Sequence, residues 1–389
     1  MDLRSHAFLL LVVLLACASV AGAVLLWPRA AGHSVGAVLA RLGLLLTCQL
    51  TAIIMIATSV NDQFDFYASW GELLGATQQQ VLGVQSGIPD DQDGTSPAVP
   101  GDPPAGHRPH ADEPPHPILD VNRQYAPPDP DPGEQETVQI AGGATGLHEQ
   151  AYIYLPPQYR DPAQAHTRFP LVLVLAGYPG HIGTLIGSLG TIGTMNELVR
   201  TGHTRPFVLA LMSPTLVPPR DTECTDVPGG PKVLSYFGED VPRWLSAHYR
   251  LLPPGPSWGA LGVSTGGYCA AKFAMTFPHV YSAAVDMSGD LHAARDATTG
   301  DLFHGDELLR QANDLVWRIA VLPPPPVRLL FTVGRTEHGV YPDIARFSHL
   351  ARPPVQVDSI VLGDTGHNFG VFARLLPTCL QWLSASLGA

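Results

Sequence analysis

Leu171-Val-Leu-Val-Leu-Ala176 is a continuous apolar run, and Phe207-Val-Leu-Ala-Leu-Met212 repeats the pattern. Such runs are the mark of strands buried on both faces, which only a sheet covered on two sides can supply. Trp258 to Val263, Ser282 to Met287, Val327 to Val333 and Val357 to Leu362 extend the series. Gln150 to Leu155 alternates instead and stops at Pro156-Pro157. Helical stretches fall between the strands, at Val233 to His248, Gly267 to Thr276 and Asp306 to Ile319. Strands and helices alternating over about 250 residues predict an α/β fold with one doubly wound, mostly parallel sheet.

The chain ahead of this region has a different texture. Ala7 to Trp27 and Leu42 to Val60 are uncharged and apolar, each near the roughly 20 residues that cross a bilayer core. The loop between them carries Arg29 and Arg41, and Asp62, Asp65 and Glu72 follow the second run. That asymmetry places the loop in the cytoplasm and both ends outside. Two other readings stand beside this one: a cleaved signal ending at Ala21-Gly22-Ala23, and a lipobox at Leu14-Leu-Ala-Cys17. The apolar run continues past both sites to Trp27, which favours the uncleaved hairpin. Tyr67 and Trp70 suit a membrane interface.

From about Gly75 to Glu134 the chain turns to Pro, Asp, Gly and Gln, almost without aromatics, a composition that makes a disordered tether. His107, His110 and His116 lie there without cysteines or an ordered scaffold, so solvated side chains are expected and no metal. The expected organisation is a membrane anchor of two transmembrane helices over 1–60, a Pro/Asp-rich linker over 61–135 and a catalytic domain over 136–389. The formal charge of −12 argues against a nucleic-acid partner, since nothing neutralises phosphates.

Gly262-Val-Ser-Thr-Gly266 follows one buried run and opens a helical stretch. In G-x-S-x-G the glycines permit a sharp strand-to-helix turn that lifts the serine hydroxyl clear of the sheet. Ser264 is the expected nucleophile, and the helix N-terminus behind it favours developing negative charge. His367 follows the last strand in Gly363-Asp-Thr-Gly-His-Asn-Phe369 and is the expected base. His181, His292 and His338 compete but lack its place after the last strand. Glu337 follows Val327 to Val333 and a glycine turn, the place for an acid that fixes the imidazole tautomer. Asp286 and Asp343 are its rivals. Of the two backbone N–H groups an oxyanion hole needs, Thr265 supplies one and Tyr178 is the choice for the other, because Pro179 has none.

At these residues the chain resembles the esterase D and antigen 85-like family of α/β-hydrolases. The likeness rests on Leu173 to Pro179, Gly262 to Gly267, Gly334 to Glu337 and Gly366-His367, and covers roughly Gln139 to Ala389. It looks closest to membrane-anchored esterases of actinobacteria. Family analogy implies an α/β-hydrolase fold, a Ser264–Glu337–His367 triad, and Tyr178 and Thr265 as oxyanion donors. Ala176-Gly177 departs from the family, where many members read His-Gly.

Cys224 and Cys269 lie in the region expected outside the cell, where an oxidising compartment favours a disulfide between them. Cys379 is left over. The expected activity is that of an extracytoplasmic serine esterase or acyltransferase working through an acyl-enzyme on a small-molecule or lipid acyl ester, with no cofactor. A serine peptidase and an inactive binding module of the same fold are the alternatives.

Overall fold

The computed structural model describes residues 3, 5–64, 66–74, 81–86, 133–363 and 365–388. Among the described residues nine strands form one sheet: β1 (Val81–Ser86), β2 (Glu134–Ala141), β3 (His148–Leu155), β4 (Leu171–Leu175), β5 (Val208–Met212), β6 (Gly255–Val263), β7 (Tyr281–Met287), β8 (Arg328–Gly334) and β9 (Gln356–Leu362). Their order is β1-β9-β8-β7-β6-β4-β5-β3-β2. Every pairing from β5 through β4, β6 and β7 to β8 is parallel. β2 and β3 add antiparallel pairs on one side. This is the mostly parallel, doubly wound sheet expected of the apolar runs, in the α/β-hydrolase fold that the family resemblance implied. The core of the sheet is as dry as those runs imply, since every residue of β4 and β5 is buried.

Between β5 and β6 the chain crosses from one side of β4 to the other. Strand order therefore reverses at β4 and β6, and sites in open α/β sheets form outside the carboxyl ends of strands at such a switch point. The segments Ala176–Gly180 and Val263–Gly266 leave the sheet there.

The described residues also form twelve α-helices. Two precede the sheet, α1 (His6–Leu26) and α2 (Val35–Phe64), followed by a single turn, α3 (Trp70–Leu73). After β4 come α4 (Ile182–Gly187) and α5 (Thr191–Arg200). After β5, α6 (Val233–Ser235) passes through a π-helical turn at Tyr236–Asp240 into α7 (Val241–His248). Then follow α8 (Thr265–Thr276), α9 (Glu307–Ala312), α10 (Leu315–Val321), α11 (Val340–Leu350) and α12 (Phe369–Ser386).

Several bounds differ from the sequence expectation for physical reasons. The helix expected over Asp306 to Ile319 is two, because Asp314 caps a second start by accepting from the Trp317 N–H at 2.9 Å. Strand β1 lies inside the stretch read as linker, where Val81-Leu-Gly-Val84 is a short apolar patch able to pair at an edge. The linker residues 75–80 and 87–132, with His107, His110 and His116, lie outside the described residues, as does Asp65.

Two compact units are distinguishable. One comprises Met1–Gln80 with Gly334–Glu337 and Leu362–Val371; the other holds Val81–Val333, His338–Val361 and Phe372–Ala389. In the first, α1 and α2 pack as a hairpin, and Ser19 and Thr51 share a hydrogen bond of 2.8 Å between them. The outer faces of this pair are leucine, valine and isoleucine, largely exposed. Ala7–Ala30 has a mean hydropathy of 2.9 and Val35–Asp62 one of 1.9, and both stretches are long enough to cross a membrane. Helix α2 starts earlier than the uncharged run, taking in Arg41, whose guanidinium reaches back to the Ala37 and Gly32 carbonyls.

In the second unit, aromatic rings fill the space under α8. Phe237 stacks on Phe273 at 5.1 Å between centroids, and Phe273 on Tyr281 at 6.0 Å. Phe273 thus packs the helix that follows Ser264 against Phe237 and Tyr281.

Candidate active site

Ser264 is the last residue before α8 and lies at φ 54°, ψ −129°. A non-glycine residue rarely adopts that backbone, and it persists only where the surroundings fix it. They do so here. The Ser264 N–H donates to Met287 O at 2.9 Å, and its carbonyl accepts from Gly267 at 2.7 Å and Tyr268 at 3.2 Å.

Both glycines of the pentapeptide are demanded by contact. A Cβ on Gly262 would overlap the Gly266 backbone, and one on Gly266 would lie 2.5 Å from the carbonyls of Leu175 and Ala176. The turn can therefore be this tight only with hydrogen at both positions. Ser264 and Thr265 are half-buried, so the hydroxyl is reachable.

The loop after β4 runs beside the serine. A Cβ on Gly177 would stand 3.0 Å from Ser264 Cβ and 3.1 Å from Val263 O. Tyr178, the chosen oxyanion donor, thus belongs to the segment touching the elbow. Its side chain is tied away, the hydroxyl donating to Pro219 O at 2.6 Å. Thr265, the other chosen donor, opens α8, and its own hydroxyl donates to Asp221 Oδ2 at 3.2 Å. Sequence reading missed Asp221, which lies in a segment without helix or strand periodicity.

The expected base and acid are brought together. His367 Nδ1 lies 3.2 Å from Glu337 Oε2, and Glu337 Oε1 accepts from the Gly334 N–H at 2.7 Å. Glu337 is buried, His367 half-buried. The rival acids have other work. Asp286 is buried at the end of β7, where Oδ1 accepts from Gly289 N–H at 2.7 Å. Asp343 pairs with another competitor, His292, at 3.3 Å.

Cys224 and Cys269 are joined as a disulfide, with Cα atoms 5.7 Å apart. Around it is a charged cluster that the sequence did not announce. The Lys272 ammonium, fully enclosed, donates to Glu223 O and Thr225 Oγ1, each at 2.9 Å. Burial lowers the Lys272 pKa to about 7. Burial first, and the charge of Asp221 second, raise the Glu223 carboxyl to about 8. No group of three or more histidine, cysteine or acidic residues able to hold a metal occurs among the described residues.

Residues 143–339, just over half of the chain, match the family described as "Putative esterase". The chain belongs to this esterase family. The matched region takes in Tyr178, Ser264, Thr265 and Glu337 and ends before His367. Membership makes the matched region an esterase domain, and its fold is that of the α/β-hydrolases.

An uncharacterized protein of Corynebacterium glutamicum is 26% identical over 250 residues, which cover 60% of this chain and 56% of that protein. The chain thus spans a little over half the length of this curated relative. Solved structures share the fold at low identity. A ferulic acid esterase superposes with a TM-score of 0.55 at 15% identity, covering 65% of this chain and 99% of its own. An S-formylglutathione hydrolase from Agrobacterium tumefaciens gives 0.54 at 15%, covering 66% and 96%. The fluorophosphonate-binding serine hydrolase F of Staphylococcus aureus gives 0.52 at 17%, covering 65% and 99%.

Proposed function

We propose that the chain is a membrane-anchored extracytoplasmic serine esterase, or an acyltransferase of the same chemistry, with Ser264, His367 and Glu337 as nucleophile, base and acid. The observation that carries the reading is the strained backbone of Ser264 between a buried strand and α8, in a chain of the esterase family. Such strain has a use where a hydroxyl must stand clear of its own helix. Chain order supports the partners, since serine, acid and histidine follow β6, β8 and β9 in turn.

With Nδ1–H donating to Glu337, the imidazole carries its lone pair on Nε2. That nitrogen takes the Ser264 Oγ proton as Oγ bonds to the ester carbonyl carbon. The carbonyl oxygen becomes an oxyanion, held by the N–H groups of Thr265 and Tyr178. Collapse breaks the bond to the leaving alkoxide, which receives the proton from His367 and departs as an alcohol. Water or a second alcohol then attacks the acyl-serine, giving its proton to His367. Collapse returns that proton to Ser264 Oγ and releases the acid or a new ester.

The two apolar helices support an anchor, and the arginines between them support a cytoplasmic loop with the catalytic domain outside. In this reading 1–60 anchors, 61–135 tethers and 136–389 catalyses. The Cys224–Cys269 disulfide suits an oxidising compartment. The substrate class is a small-molecule or lipid acyl ester.

The test is fluorophosphonate labelling of the detergent-solubilised full chain, followed by a panel of p-nitrophenyl esters, peptides and alcohol acceptors. Label on Ser264, absent from Ser264→Ala, with ester turnover is expected. Label persisting in Ser264→Ala overturns the nucleophile. Peptide turnover without ester turnover means a peptidase, and a folded chain that takes no label means a binding module. Protease added to intact cells is expected to release the catalytic domain, and release only after lysis overturns the topology.

A further inference from the structure

Three hydrogen-bond donors converge on one carboxylate shortly after the second apolar helix. Glu72 Oε2 accepts from the Ala68 N–H at 2.7 Å. Its two oxygens lie 2.9 and 3.0 Å from the N–H of Gly366, and Oε1 accepts from Asn368 Nδ2 at 2.9 Å. Gly366 and Asn368 are the residues on either side of His367. Asn368 Nδ2 also donates to the Phe66 carbonyl at 2.7 Å, so both of its amide protons are used on this one segment.

The contact is close as well as polar. A Cβ on Gly366 would overlap the Phe66 carbonyl and stand 2.7 Å from Tyr67 Cα. The segment making it is itself fixed. Asn61, in α2, accepts from the Tyr67 N–H at 2.8 Å and donates to the Tyr67 carbonyl at 3.1 Å. Ser69 caps α3 by accepting from the Glu72 N–H. The Trp70 ring meets Phe8 of α1 edge to face at 5.2 Å. An unbroken series of bonds thus runs from the apolar hairpin through Tyr67 and Glu72 to the histidine loop.

We propose that Glu72 is a positioning residue for His367, and that the residues just beyond α2 are part of the active-site machinery as well as an anchor. The idea rests on His367 being the base. A histidine carried on a loop is useful only if the loop is held to within a fraction of an ångström. Charge-assisted bonds to a carboxylate hold it better than neutral ones. All three groups facing Glu72 are donors, so a carboxylate, which only accepts, fits where an amide does not.

Glu72→Gln tests this with almost no change in shape, because it turns one acceptor oxygen into an NH₂ facing donors. The measurements use the full chain in detergent: hydrogen exchange of the peptide spanning 363–370, kcat and KM on a p-nitrophenyl ester, and thermal unfolding. Exchange of that peptide should rise about tenfold, and kcat should fall about 10- to 100-fold with KM within twofold and Tm unchanged. Gly366→Ala, which displaces the loop from the opposite side of the contact, should give the same signature. Unchanged exchange overturns the clamp. A looser loop with normal kcat overturns the positioning role, as does a kcat loss matched by an equal loss of folded protein. Should the wild type neither label nor turn over ester while Glu72→Gln still loosens the loop, the clamp stands and His367 is not a base.

Discussion

Glu337 spends one carboxylate oxygen on each of two neighbours: Oε2 lies 3.2 Å from His367 Nδ1, and Oε1 takes the Gly334 N–H at 2.7 Å. The second bond fixes the first, since a carboxylate anchored to the end of β8 cannot rotate away from the imidazole. An orienting group of this kind selects the histidine tautomer and stabilises the imidazolium formed when the ring takes a proton.

Glu337→Gln keeps the shape and an acceptor for Gly334 but removes the charge. A fall in kcat of about 10⁴-fold is expected, as when a triad acid is made an amide. Asp286→Asn and Asp343→Asn should stay within about tenfold, since each loses only local hydrogen bonds. Steady-state kinetics of the three variants decide the matter, and a near-normal Glu337→Gln beside a crippled Asp286→Asn would move the acid to the end of β7.

The backbone of Ser264 predicts an unusual gain. Glycine tolerates φ 54°, ψ −129° where a side chain is strained. Both Ser264→Ala and Ser264→Gly remove the hydroxyl, yet the glycine variant should be the more stable by about 1–2 kcal/mol. Denaturant melts of the two inactive variants measure it. Equal midpoints would mean that the elbow holds no strain.

The disulfide closes a loop across a sequence separation of 45 residues and ties the Asp221–Thr225 segment to α8. Replacing both Cys224 and Cys269 by serine should cost about 2–4 kcal/mol, chiefly by freeing the unfolded chain. Because Asp221 accepts from the Thr265 hydroxyl, the double variant should also lose some kcat. Thermal unfolding with and without reductant checks the first part. Equal Tm values for wild type and variant would remove the stabilising role.

How much of this was legible in the sequence varies with the physics of each element. The sheet was readable because β4 and β5 are buried on both faces and so are written almost wholly in apolar residues. The elbow was readable because two glycines are forced by backbone contact, leaving a pattern five residues wide. The meeting of Glu337 and His367 could be anticipated because each follows a strand, in the order serine, acid, histidine. Strand β2 was missed because most of its residues are exposed and it opens Glu-Gln-Glu-Thr. The contacts of Glu72 and Asp221 were invisible for a different reason. Each joins residues far apart in the chain, Glu72 to Gly366 and Asp221 to Thr265, and no local pattern marks such a meeting.

The buried cluster beside α8 predicts a pH effect whose sign follows from Glu223. Its carboxyl faces Asp221, Asp290 and Lys272 and accepts from the Ala294 N–H at 3.3 Å. Burial, reinforced by Asp221, raises its pKa from 4.5 to about 8. The folded state therefore holds a proton that the unfolded chain has released, and the stability this contributes is full below about pH 4.5 and lost as pH rises through 8. Lys272 acts in the opposite sense. Burial lowers its pKa from 10.5 to about 7, so its contribution grows as pH rises from 7 towards 10.5. Between pH 5 and 7 the buried carboxyls act in one sense, since burial also raises the pKa of Asp221 beside Glu223. Glu223→Gln keeps an oxygen for Ala294 and cannot ionise, so its Tm should fall less than that of the wild type over that range. Parallel Tm curves from pH 5 to 7 would show that Glu223 ionises in the folded protein as freely as in the unfolded chain.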